Sequence, residues 1–287
     1  MPSLKKIRTR IASVKNTQKI TRAMKLVAAA RLRRAQMNIV AARPYARHLM
    51  GVIAEISARA EGAHPLLARR TPKRVGLLVL TSDRGLCGGF NGNVNRRTER
   101  WFLEHKEELE EIRLLVVGRK GVEYLKRRKY AIAREYTGVI GAAALPKAQE
   151  IAKAAVADFT HKRLDAIYVV YNEFKNAAQQ RLVVEPLLPV DPVELSEAAG
   201  RYDFKYEPDR DELLDRLLPQ YVEIEVYRCI LESIASEFGA RMTAMENATN
   251  NASEMIGRLT LEFNRARQAS ITKELMEIIG GAEALKG

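Results

Sequence analysis

Along the first fifth of the chain, apolar and small residues return at alternating steps of three and four. The positions are Leu4, Ile7, Ile11, Val14, Gln18, Thr21, Lys25, Ala28, Leu32, Ala35, Ile39, Ala42, Ala46, Leu49, Ile53 and Ile56. This is the seam of a heptad helix, interrupted by a polar patch at Gln18, Thr21 and Lys25. No proline lies between Pro2 and Pro44, and the first glycine is Gly51. Ser3 suits the N-cap. Pro44 removes one backbone donor and is expected to bend the helix rather than end it.

The other end carries the same pattern. Leu231, Ala235, Phe238, Met242, Met245, Thr249, Ala252, Ile256, Leu259, Phe263, Ala266 and Ser270 keep the four-three alternation, with no proline after Pro219. Gly239 and Gly257 fall off the seam, each costing about 1 kcal/mol relative to alanine. A helix from about Asp209 to Ile278 would be roughly 100 Å long, and the first helix about 80 Å. Two such stripes are most simply buried against each other. The expected organisation is a helix over 1–60 paired with one over 209–284. An antiparallel pairing follows if the middle of the chain brings the ends back, although a parallel one is open to the sequence alone.

Between Lys73 and Val190 the period changes. Val75–Leu80, Leu114–Val117, Ile167–Val170 and Leu182–Val184 are short apolar runs, separated by helical stretches near Val94–His105, Gly121–Lys129 and Pro146–Arg163. Strands alternating with amphipathic helices predict a Rossmann-like α/β domain over 73–190 with a largely parallel sheet. Gly62–Pro72 and Pro186–Pro208 read as its linkers. The fold class is therefore α/β plus an antiparallel coiled coil of the two terminal helices.

The first strand runs into Thr81–Asn91, a turn rich in glycine (Gly85, Gly88, Gly89). Such turns often cradle phosphates, but neither the P-loop nor the dinucleotide spacing is present, and a structural turn is favoured. Cys87 reads as a buried small hydrophobe rather than a nucleophile. The cysteines Cys87 and Cys229 and the four histidines do not cluster, so no metal, no cofactor and no disulfide are expected. Paired-carboxylate, H-E-x-x-H and G-x-S-x-G motifs are missing, so no catalytic constellation is visible.

Charge sharpens the reading of the first helix. Hydrophobic residues make up 47% and charged residues 29% of the chain, and the net charge is +13. Thirteen lysines and arginines precede the first acid, Glu55, and the remaining basic residues balance the acidic ones. The excess thus sits on one segment, whose exposed members include Lys5, Lys6, Arg8, Arg33 and Arg34. A solvated helix face would normally mix signs to gain i,i+4 pairs, so a negatively charged partner is expected. Nucleic acid, an anionic membrane and an acidic protein surface all fit, as does a transit peptide. No run of about 18 apolar residues suggests a membrane span.

Ile20–Ala28, with Thr21-Arg22-Ala23-Met24-Lys25 at its centre, resembles the N-terminal signature of the gamma subunit of F-type ATP synthases. Thr81–Asn91 is similar to that family's glycine-rich central motif. Met245–Ala252 and Leu259–Leu275 resemble its C-terminal signatures, and the likeness runs essentially end to end. The resemblance implies a non-catalytic subunit of a proton-transporting ATPase. It would act as a rotor inside a ring of alternating alpha and beta subunits, joined at its foot to the epsilon subunit and the ring of c subunits. A single copy per complex, no nucleic acid and a peripheral place on the cytoplasmic face of a bacterial cell membrane are implied. The lack of a presequence and of the plastid regulatory insertion between Pro186 and Pro219 favours the bacterial type.

Position by position, the resemblance makes Met24, beside Lys25 in the first signature, a residue near an acidic lever of beta, where a change to lysine would impair coupling. Arg241 corresponds to a basic residue facing beta, and Gln268, Thr272 and Glu274 to positions near beta catch loops. The main alternative is a basic coiled-coil protein that binds nucleic acid, which predicts steeply salt-dependent binding. A nucleotide-dependent oxidoreductase is a third reading, and neither explains matched seams at both ends.

Overall fold

The computed structural model describes residues 4–57, 64–139, 144–177, 179–191 and 209–284. Helix α1 (Leu4–Ser57) runs through Pro44 without a break, and α5 (Arg210–Ala284) runs through Pro219. Ser3, the expected cap, lies outside the described residues. Between the two helices come β1 (Arg74–Leu80), α2 (Phe90–His105), β2 (Glu111–Val117), α3 (Arg119–Arg127), β3 (Ile132–Tyr136), α4 (Ala144–Thr160), β4 (Ala166–Phe174) and β5 (Gln180–Leu188). The chain divides into two compact units, Met1–Val27 with Met242–Gly287, and Ala28–Arg241.

The larger unit is built on a five-stranded sheet of order β3-β2-β1-β4-β5. β1 pairs in parallel with β2 and β4, β2 pairs in parallel with β3, and β5 lies antiparallel on β4. The β1 run is apolar throughout because both faces of the sheet are covered. Val75, Leu77 and Val79 point into a core with Val94 and Trp101 of α2 and Leu125 of α3. Leu78 and Leu80 point the other way, into a core with Ile53 and Ile56 of α1, Ile151 of α4, and Leu218 and Val222 of α5. Truncating such a side chain to alanine costs about 2–5 kcal/mol.

Two strands depart from the sequence expectation. β3 was not foreseen, because its Ile-Ala-Arg-Glu-Tyr sequence alternates in burial and forms no apolar run. Its ladder with β2 also shifts register between Leu114 and Leu115. β5 extends through Pro186 to Leu188, so the segment read as the start of a linker still belongs to the sheet. A proline is tolerated there because β5 is an edge strand. The other expected linker also contributes to the core, as Leu66 in a short 3₁₀ turn (Pro65–Leu67) is 1% exposed.

Within this unit the seam of α1 continues as Leu32, Ala35 and Ile39, packed on Phe238, Ala235 and Leu231 of α5. The smaller unit is the pairing of residues 4–27 with the last part of α5. Ile7, Thr21, Met245, Ala252 and Leu259 are its buried positions, all on the predicted seams. Thr21 faces Thr249, Lys25 faces Glu246 and Gln18 faces Ser253, so numbering rises on one helix as it falls on the other. The pairing is antiparallel.

Candidate coupling surface

In the smaller unit the positions implied in coupling fall into two groups. Met24 and Lys25 lie half-buried at the helix pair. The Lys25 ammonium donates to Glu246 Oε1 at 2.7 Å, with the two side chains 36% and 46% exposed. A pair so open to solvent is worth about 0–1 kcal/mol. Its geometric role therefore outweighs its energy. Gln268, Thr272 and Glu274 stand exposed on α5, and Glu274 accepts a hydrogen bond from Ser270 at 3.3 Å. Lys5, Lys6 and Arg8 are exposed on α1, with the Arg8 guanidinium 5.6 Å from the centre of the Phe263 ring.

In the larger unit Arg33 and Arg34 are exposed, while Arg241 is not. Its side chain is 11% exposed, and Nη2 donates to Glu237 Oε1 at 2.6 Å and to the Gly85 carbonyl at 3.1 Å. Its guanidinium also lies 5.5 Å from the Phe238 ring centre. Burial pushes the Glu237 carboxyl up, and Arg241 pulls it back down. Sequence reasoning picked out Arg241 but missed both partners. The Glu-Arg spacing of four along one helix was the available signal for Glu237; nothing in the sequence pointed to the carbonyl.

The glycine-rich segment after β1 closes on itself. Asn91 Oδ1 accepts from the Ser82 amide at 2.9 Å, Asn91 Nδ2 donates to Ser82 Oγ at 2.8 Å, and Ser82 Oγ donates to the Arg84 carbonyl at 2.6 Å. Asp83 accepts from the amides of Arg119 at the start of α3 and of Gly138. Cys87 is buried beneath the loop, and burial pushes its thiol up, away from nucleophilic use. Leu86 at the tip has φ 63° and stands 64% exposed.

Open α/β sheets bind ligands beyond the carboxyl ends of their strands. Here Thr81, Ser82 and Gly118 at those ends face Ser233, Ile234 and Glu237 of α5 across a cavity of about 20 Å³, enough for one water. Gly118 lets the chain leaving β2 pass close to Thr81 at the end of β1. Its φ is +93°, and a Cβ there would lie 2.3 Å from the Thr81 carbonyl oxygen. Residues of the chain's own α5 thus line that end of the sheet. Among the described residues no group of His, Cys, Asp and Glu is placed to hold a metal, and no helix is long and apolar enough to cross a membrane.

Comparison with known proteins agrees with this arrangement. A family model described as ATP synthase matches residues 3–285. An ATP synthase gamma chain of Anaeromyxobacter sp. (strain Fw109-5) is 51% identical over 291 residues, with 100% of each chain covered. Another, from Geobacter metallireducens, is 49% identical over 288 residues with the same coverage. A chain in the central stalk and c-ring structure of the Tetrahymena thermophila mitochondrial ATP synthase matches with a TM-score of 0.62 and 28% identity, covering 80% of this chain and 99% of that one. These findings give the nucleic-acid and oxidoreductase readings no support. The chain belongs to the gamma-chain family of ATP synthases.

Proposed function

We propose that the chain is the central rotor shaft of a proton-translocating ATP synthase, turning within a ring of alternating alpha and beta subunits. The observation that carries the reading is the antiparallel pairing of residues 4–27 with the end of α5, seam to seam, with basic side chains left outward. A shaft must bear twist as one body, and the paired seams hold its two helices together. Its outer surface should bind the ring weakly at many points, because a deep well would stall rotation. Exposed lysines and arginines interacting through screened charge suit that need.

In this account Lys5, Lys6, Arg8, Arg33 and Arg34 face acidic surfaces of the ring. Met24, Lys25, Gln268, Thr272 and Glu274 meet the beta subunits as rotation proceeds. Arg241 acts from inside, by holding the loop that carries Gly85. Attachment at the foot to the epsilon subunit and the ring of c subunits would place the chain peripherally on the cytoplasmic face of a bacterial cell membrane. Support for that comes from the bacterial relatives and from the lack of a membrane-crossing helix among the described residues.

Purification of the complex from its source tests the assignment. The chain should copurify in a single copy with three copies each of two larger subunits. Recovery of the chain without them, or bound to nucleic acid instead, would contradict it.

A further inference from the structure

The polar patch that interrupts the α1 seam is matched partner for partner on α5. Gln18 Nε2 donates to Ser253 Oγ at 2.5 Å, the Thr21 and Thr249 hydroxyls meet at 2.8 Å, and Lys25 Nζ donates to Glu246 Oε1 at 2.7 Å. Steps of three and four on one helix meet steps of four and three on the other, so all three pairs belong to one register. The Thr249 hydroxyl also reaches the Met245 carbonyl at 2.7 Å. Thr21, which is 8% exposed, likewise reaches the Gln18 carbonyl at 3.1 Å, so either hydroxyl can supply the proton between them.

The apolar part of this helix pair specifies its alignment poorly. Its buried members besides Thr21 are Ile7, Met245, Ala252 and Leu259, few and in part small. Burial of apolar surface is non-directional, so a slip along the axis exchanges one such contact for another at little loss. Hydrogen bonds are directional. A slip of one helical turn would part Gln18 from Ser253, Thr21 from Thr249 and Lys25 from Glu246 together. A polar residue at a seam position characteristically fixes register at some expense in stability.

We propose that Gln18, Thr21 and Lys25, with Ser253, Thr249 and Glu246, form a register lock that fixes the axial alignment of the two helices. Twist applied to one helix is then carried by the other without sliding. This rests on the rotor reading for its use in coupling, although the lock itself can be measured independently of that reading.

The test uses a variant carrying Gln18→Leu, Thr21→Val, Glu246→Ala, Thr249→Val and Ser253→Ala, which removes all three pairs, keeps the seam apolar and leaves the helices able to pair. Spin labels at Lys15→Cys and Arg258→Cys, both exposed positions, report the alignment in the purified chain. In the assembled complex in sealed vesicles, ATP hydrolysis and ATP-driven proton uptake are measured together. The parent should give one narrow label distance, and the variant a second population displaced by about one turn, about 5.4 Å. Hydrolysis should persist in the variant while proton uptake is lost, and Thr21→Ser with Thr249→Ser should behave as the parent. A single unchanged distance in the apolar variant overturns the lock. A shifted distance with full proton uptake overturns its role in coupling. If the parent complex itself hydrolyses ATP without moving protons, the rotor reading fails, while the label distances still judge the register.

Discussion

Arg241 ties α5 to the loop after β1 by donating from Nη2 to the carbonyl oxygen of Gly85 at 3.1 Å. The same nitrogen holds Glu237 at 2.6 Å, one turn earlier on the helix. One guanidinium thus neutralises a carboxylate that is 3% exposed and pins a loop whose tip presents Leu86.

Arg241→Ala should therefore be among the most destabilising single changes in the larger unit. It strands the Glu237 carboxylate in a buried place, a loss of about 3–5 kcal/mol. Arg241→Ala with Glu237→Gln should recover part of that loss, since no charge is left buried. Urea denaturation of the parent, the single and the double variant measures both; equal midpoints for the single variant and the parent would contradict the clamp.

His64 makes stability depend on pH in a defined direction. Its Nδ1 accepts from the Leu66 amide at 3.1 Å, and its Nε2 lies 3.0 Å from Asp215 Oδ1. Burial holds the imidazole below its usual value of 6.5, against the pull of Asp215 and, more weakly, Asp211. The unfolded chain then takes up the proton first. The contribution is complete above about pH 6.5 and is lost as pH falls from there through the folded value. The stability advantage of the parent over His64→Gln should thus shrink between about pH 7.5 and about pH 5.5, read from urea midpoints at the two values. An advantage that grows on acidification would show the opposite linkage.

Neutralising Lys5, Lys6, Arg33 and Arg34 together, each to glutamine, should leave the fold nearly untouched. All four are exposed, and surface substitutions of this kind change stability by about 0.5 kcal/mol or less each. Coupling is expected to suffer instead: ATP-driven proton pumping by the assembled complex should fall with the melting temperature unchanged. Full pumping in this variant would remove the basic helix face from the account.

How much the sequence revealed follows from where periodicity was strong. Every predicted seam position from Leu4 to Ile56 is buried or half-buried, because a heptad stripe has one way to leave water. On α5 the same holds from Leu231 to Ser270. The central strands were legible because burial on both sides makes them continuously apolar. β3 was not, since half of its side chains face solvent and Arg134 and Glu135 mask it. At the candidate surface the residue types were visible and the partnerships were not. Lys25 stood out as a polar break in the seam, but Glu246 became its partner only through the antiparallel register. The resemblance makes Arg241 a basic residue facing beta; the structure sets it against a helix neighbour and a backbone oxygen that no side-chain pattern encodes.

The central claim is rotation, and single-molecule observation tests it most directly. With the larger subunits fixed to a surface and a probe attached to this chain within the complex, ATP should drive continuous turning of the probe in one direction. A probe that stays still while the same complexes hydrolyse ATP would contradict the account.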